Sequence, residues 1–253
     1  MNPANESSSR SRPGSSEGLG QTRHVPFCYN VGMKRFFAWT LAGGLSLGSP
    51  AAEVDVSFAP GAWNTNEWTV VKSPRWSYCR GFVQKSDGIE NACPSLPGPV
   101  IFNEHASDVY SAMVHKTRTG LGATVSSSMQ FDHRMAPLIV LAESLDKAPD
   151  GTPQFGEHWE VVLYDQGLNV WHHFLKDGKP AWYKAAFLNA PFAPNTPYRL
   201  EVKVVRTHRG QKEMTVSCGG HVLGFANDRL PESFQAGIIG CEGRNRFHDF
   251  RIR

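Results

Sequence analysis

The chain has 253 residues, 40% of them hydrophobic and 19% charged, which suits one large globular domain and excludes a disordered chain. Its formal net charge is +3, and no long run of Lys or Arg accompanies that mild basic balance. Nucleic acid is therefore not an implied partner, whereas an acidic sugar polymer is compatible with it.

Residues 1–32 are rich in Ser, Gly, Asn and Arg and carry almost no apolar periodicity; they read as a disordered or mis-annotated extension. Met33-Lys34-Arg35 then opens an apolar run from Phe36 to Leu47, which leads into the small residues Gly48 to Ala52. A positive start, a short apolar run and a small-residue end make the pattern of a secretory signal, so 33–52 is expected to be removed and the mature chain to begin near Ala52 or Glu53. The apolar run is about a dozen residues against the roughly 20 of a spanning helix, so no permanent membrane anchor is expected and a secreted or periplasmic location is. Downstream lie Cys79, Cys93, Cys218 and Cys241. An even set fits an oxidising compartment, and nearest-neighbour bridges Cys79–Cys93 and Cys218–Cys241 are expected, with four buried thiols as the alternative.

From Glu53 onward, short runs of β-branched and aromatic residues recur between Gly, Pro, Asn and Asp clusters. That spacing predicts an all-β domain over 53–253, with strands over 68–72, 109–116, 123–131, 138–143, 158–164, 168–175, 198–207, 213–218, 236–240 and 247–252. The proline-rich stretch 73–102 is expected to be a loop pinned by its disulfide. Within 198–204 apolar and charged residues alternate, so one face packs and the other meets water.

The most informative segment is a hairpin in which His158 to Tyr164 is joined through Asp165-Gln166-Gly167 to Leu168 to Phe174. With Gln166-Gly167 as the turn centre, Tyr164 pairs with Asn169, Val162 with Trp171 and Glu160 with His173. Trp159, Val161, Leu163, Leu168, Val170 and Phe174 then share the core face, with His172 among them. His158, Glu160, Tyr164, Asn169, Trp171 and His173 share the other. An aromatic platform beside a carboxylate, an imidazole and a carboxamide is what a sugar needs, because its CH faces stack on rings and its hydroxyls take hydrogen bonds. The bland alternative is that Trp171 and Tyr164 pack under a loop while His173 merely pairs with Glu160.

The Trp159–Tyr164 and Gly167–His173 segments resemble the YesU-like family of concanavalin A-like lectin/glucanase domains. The stretches Ala236-Gly237-Ile238-Ile239-Gly240 and Phe247 to Ile252 are similar to the closing strands of lectin and glucanase sandwiches. The resemblance implies a jelly-roll sandwich of two antiparallel sheets whose concave face forms a sugar-binding groove; it transfers fold better than reaction.

Retaining glucanases of this class carry paired carboxylates about 5 Å apart, and here the sole Glu-x-Asp is Glu53-Val54-Asp55, which argues against a hydrolase. A uronate lyase instead needs a proton-handling His or Tyr and groups that stabilise the enolate. His173, Tyr183 and Arg134 could supply that chemistry, with Gln130, Lys184, Glu160, Tyr164, Asn169, Trp171 and His158 holding the sugar. Trp182-Tyr183-Lys184-Ala185-Ala186 weakly resembles a strand of jelly-roll alginate lyases. The expectation is thus a secreted protein acting on a polysaccharide, an acidic one being compatible, as a uronate lyase or alternatively as a non-catalytic glycan-binding, lectin-like module. A monomer is expected. No metal-ligand spacing is evident; a structural calcium is compatible, and no organic cofactor is expected.

Overall fold

The computed structural model describes residues 53–76, 79–93, 109–133 and 135–253. The stretch 33–52, expected from the sequence to be a leader, and the candidate Arg134 lie outside these residues. Among the described residues the strands run β1 (Val54–Ser57), β2 (Trp68–Val70), β3 (Phe82–Gln84), β4 (Ile89–Asn91), β5 (Ser111–Gly120) and β6 (Thr124–Phe131). They continue with β7 (Met135–Ala142), β8 (Leu145–Lys147), β9 (Pro153–Phe155), β10 (His158–Tyr164), β11 (Gly167–Lys176) and β12 (Lys179–Asn189). The last are β13 (Tyr198–Arg206), β14 (Lys212–Cys218), β15 (His221–Ala226), β16 (Ser233–Gly240), β17 (Asn245–Phe247) and β18 (Asp249–Ile252).

These strands make two large antiparallel sheets. One has seven strands in the order β12-β11-β10-β7-β16-β5-β2; the other has nine, running β15-β14-β13-β6-β17-β4-β3, with β18 also on β6 and β1 on β18. A two-stranded sheet, β8-β9, stands beside them. The β-sandwich read from the strand pattern is thus what the chain forms. Its core lies between the sheets, where Val125, Met129, Leu200, Val202 and Val216 meet Ile139, Leu141, Trp159, Val161, Leu163, Val170 and Ile238. Alternation puts one side chain in two toward that layer, as the burial of Leu200, Val202 and Val204 along β13 shows.

The seven-stranded sheet is covered on its other face as well. Ala136, Leu138, Val140, Ala142, Val162 and Ile239 form a second apolar layer with Val71, Tyr110 and Phe155. This explains why β7 reads Met-Ala-Pro-Leu-Ile-Val-Leu-Ala without polar alternation: a strand buried on both faces has no solvent side to mark.

Three expectations are corrected. First, 73–102 contains β3 and β4, which extend the nine-stranded sheet. Second, none of Cys79, Cys93, Cys218 and Cys241 is bridged. Cys218 belongs to the inter-sheet core and Cys241 packs on the outer layer, so the seven-stranded sheet stands between them. The Cys79 thiol donates to the Val71 carbonyl at 3.3 Å and that of Cys93 to Gly243 at 3.6 Å, so each has its own partner. Burial pushes the Cys93 thiol up to about 11 and the Cys218 thiol up to about 12.

Third, the hairpin register differs by two residues. Its two-residue turn is Asp165-Gln166, so Tyr164 pairs with Gly167, Val162 with Asn169, Glu160 with Trp171 and His158 with His173. A two-residue shift keeps every side chain on its face, so the sorting of the hairpin into core and outer residues stands. Gly167 is required here because a Cβ would lie 1.9 Å from the Leu188 carbonyl oxygen on β12.

Candidate functional site

A pocket of about 290 Å³ opens on the outer face of the seven-stranded sheet, where β10, β11 and β12 meet the 73–76 segment and the residues after β16. Its aromatic walls are Trp76, Tyr110, Tyr164, Trp171 and Trp182; Glu160, Asn169, His173, Arg75 and Glu242 supply polar groups. Glu160, Trp171 and His173 reach it because they alternate with Val161, Val170 and His172, which face the other way. Asn169 aims a buried Oδ1 that has no hydrogen-bond partner.

Planar groups are stacked along one wall. Phe155 lies 4.7 Å from His158, His158 4.7 Å from His173, and His173 6.3 Å from Trp182, with interplanar angles of 28°, 12° and 20°. Arg75 continues the column, its guanidinium carbon 4.2 Å from the Trp182 ring and 4.9 Å from Trp76. A cation held between two indole faces keeps its charge while losing mobility.

Glu160 sits against that column. Its carboxylate oxygens are 3.1 Å from His173 Nε2 and 3.5 Å from His158 Nε2. Burial would raise the Glu160 carboxyl, but the flanking His173 and His158 outweigh it and hold the group well below the usual carboxylate range. Tyr110 is pushed the other way: its burial, reinforced by the nearby Glu160, raises the phenol well above its ordinary value and keeps it a donor.

Of the residues singled out in the sequence, Glu160, Tyr164, Asn169, Trp171 and His173 line one pocket, and His158 stacks on the far side of His173. Lys184 pairs across from Trp171 and places its ammonium 5.5 Å from that ring and 5.2 Å from Phe187. Two others are elsewhere. Tyr183 is the cross-strand partner of His172, so it faces opposite to His173; its ring meets the edge of His172 at 5.3 Å and its hydroxyl accepts from Asn227 at 3.3 Å. Gln130 is on β6 of the nine-stranded sheet between the core residues Met129 and Phe131, so it faces away from the sandwich interior and cannot reach the pocket.

The sequence reading missed Arg75, Trp76, Tyr110 and Trp182. Trp182 carries a recoverable signal, since it stands two residues from Lys184 and so shares its face. Arg75, Trp76 and Tyr110 come from segments whose approach to the hairpin is set by long-range packing, and no local pattern announces them.

No family model matches the chain, and no curated protein does. Solved structures do resemble it. A protein of unknown function with a galectin-like fold from Bacillus subtilis is 10% identical, with a TM-score of 0.53 over 79% of this chain and 94% of that one. The potassium-bound carbohydrate recognition domain of Emp46p is 8% identical, with a TM-score of 0.51 over 78% of this chain and 95% of that one. At these identities the likeness is one of fold: the chain is a β-sandwich of the lectin-like, concanavalin A-like kind. The resemblance to the YesU-like family gains the fold from this and no assignment beyond it.

Proposed function

We propose that this protein is an exported glycan-binding protein that takes one or two sugar units of a polysaccharide into the pocket on the outer face of its seven-stranded sheet. One observation carries the reading: three indoles and two phenols wall a cavity of about 290 Å³ into which Glu160, Asn169 and His173 project. Apolar ring faces meet the CH faces of a pyranose, while a carboxylate, a carboxamide and an imidazole divide its hydroxyls among acceptors and donors. Arg75, fixed between Trp76 and Trp182, would pair with a carboxylate on the sugar, which favours uronate-containing polymers.

A lyase is the second reading. It draws on His173 beside Glu160 with the protonated Tyr110 in the same pocket, a proton acceptor and a donor facing one cavity. Tyr183, on the opposite face, contributes nothing to it.

Calorimetry of the full chain against neutral and uronate oligosaccharides, with absorbance of unsaturated product followed in parallel, tests both readings. Binding without product is the expected result, and Trp171→Ala should weaken it by about tenfold, the scale of one stacking platform. Unchanged affinity in Trp171→Ala would remove the pocket from recognition. Accumulating unsaturated product would replace the binding reading with the lyase.

A further inference from the structure

Hairpin geometry brings three metal-binding side chains to one point beside the pocket. His158 and Glu160 are two residues apart on β10 and project from one face, and His173 is the cross-strand partner of His158 on β11. One donor atom from each lies within 4.8 Å of the other two. The two imidazoles are shielded from water, His158 being 1% and His173 5% exposed, and Glu160 is half-buried.

The cluster's nitrogen donor atoms converge without hydrogen bonds of their own. His158 Nδ1 is 2.8 Å from the Gly156 carbonyl oxygen, which only accepts, so Nδ1 carries a hydrogen and Nε2 is the nitrogen turned toward Glu160. That nitrogen lies 3.5 Å from a carboxylate oxygen. Although His173 Nε2 is 3.1 Å from the other oxygen, neither Nε2 has the alignment of a hydrogen bond, and both are buried without a hydrogen-bond partner. Two buried nitrogen atoms and a half-buried carboxylate converge with neither nitrogen in a hydrogen bond, an arrangement that a bound cation would complete.

We propose that His158, Glu160 and His173 form a binding site for a divalent transition-metal ion of the zinc class. Imidazole nitrogen with one carboxylate suits zinc, iron or copper, whereas calcium and magnesium take oxygen ligands. Three protein donors leave a coordination position free, and Glu160 and His173 line the pocket, so that position faces it. Gly156 supplies the outer contact that fixes the His158 tautomer, as metal-ligating imidazoles require. Coordination at the usual length of about 2.0–2.2 Å asks each donor to move inward by on the order of half an ångström. If the pocket holds a sugar as proposed above, the ion would take an oxygen of that sugar; ion binding itself does not depend on it.

The full chain, stripped with chelator and titrated with zinc or cobalt(II), tests this. One equivalent should be retained through gel filtration, and the cobalt form should show visible d–d absorption. Glu160→Gln, an isosteric change, and His173→Gln should each weaken uptake by more than the roughly 10–100-fold typical of losing a supporting contact, with the strand circular dichroism and unfolding midpoint showing that both variants fold. Wild-type protein that retains less than about a tenth of an equivalent, or two folded variants that bind cobalt as wild type does, would overturn the proposal. Glycan titration of the stripped protein separates the two readings: metal uptake without glycan binding supports the ion site and removes the sugar pocket, and glycan binding without uptake does the reverse.

Discussion

His115 shows how one buried ring is set by its neighbours. Its Nδ1 accepts from the Thr117 amide at 3.2 Å, so the neutral ring carries its hydrogen on Nε2, which lies 3.7 Å from Glu67. Trp68 packs edge-on against the ring at 5.2 Å and Phe250 stacks at 6.4 Å. Burial lowers the pKa below the ordinary imidazole value despite Glu67, which raises it. With the folded value depressed, the unfolded chain binds the proton more readily; His115 favours folding fully above pH about 6.5 and progressively less as pH falls below it. His115→Gln should therefore flatten part of the loss of stability between pH 7.5 and 5 in urea denaturation. An unchanged slope would mean that the ring is not held neutral. Tyr183 and Trp182 give a second test at this scale: Tyr183→Phe should leave glycan affinity within about twofold, because its ring faces away from the pocket, while Trp182→Ala should lower affinity about tenfold.

Strands differ in how plainly the sequence declares them, and their places in the sheets explain the difference. β10, β11, β13 and β14 carry β-branched and aromatic residues on a buried face and were legible from period-two alternation alone. β12 and β15 escaped the same reading because they are sheet edges: half their surface meets water, and Lys179, Pro180, His221 and Gly224 break the pattern that burial would impose. The hairpin turn shows the opposite failing. Gly167 looked like a turn residue, yet it is the first residue of β11, kept small by the Leu188 carbonyl on the neighbouring strand. Period two forgave the error, because slipping by two positions leaves Glu160, Trp171 and His173 on one face; a slip of one would have exchanged the pocket for the core. Gly167→Ala should cost about 1–3 kcal/mol, since its Cβ would be driven into backbone rather than into a side chain that can turn aside. Equilibrium denaturation checks it; a cost below about 0.5 kcal/mol would show that β12 can move away.

Across the whole molecule the sequence revealed the sandwich but not its third layer. Two packed sheets account for one buried face per strand, and Ile238 has that role, lying in the inter-sheet core with Ile139. Its neighbour Ile239 points the opposite way and would be a solvent-facing residue in a two-layer fold. Here it is also 0% exposed, packed with Leu138, Val140 and Tyr110 in the outer layer. That layer bears on the proposed function, because Tyr110, Leu138, Val162 and Ala136 line the pocket as well, so the pocket's floor is a piece of core. A pocket so founded holds its rings in place before a ligand arrives and loses little entropy on binding. Ile238→Ala and Ile239→Ala should then cost similar amounts, about 2–5 kcal/mol each, because both remove a fully buried side chain and leave a cavity. They should part company in binding: Ile239→Ala loosens the layer beneath the pocket and should weaken glycan affinity in the variant that remains folded, whereas Ile238→Ala acts on the far side of the sheet and should leave affinity near wild type. Urea denaturation with calorimetry on both variants is decisive, and an Ile239→Ala cost under about 1 kcal/mol would mean that the outer layer covers the sheet without helping to hold the fold.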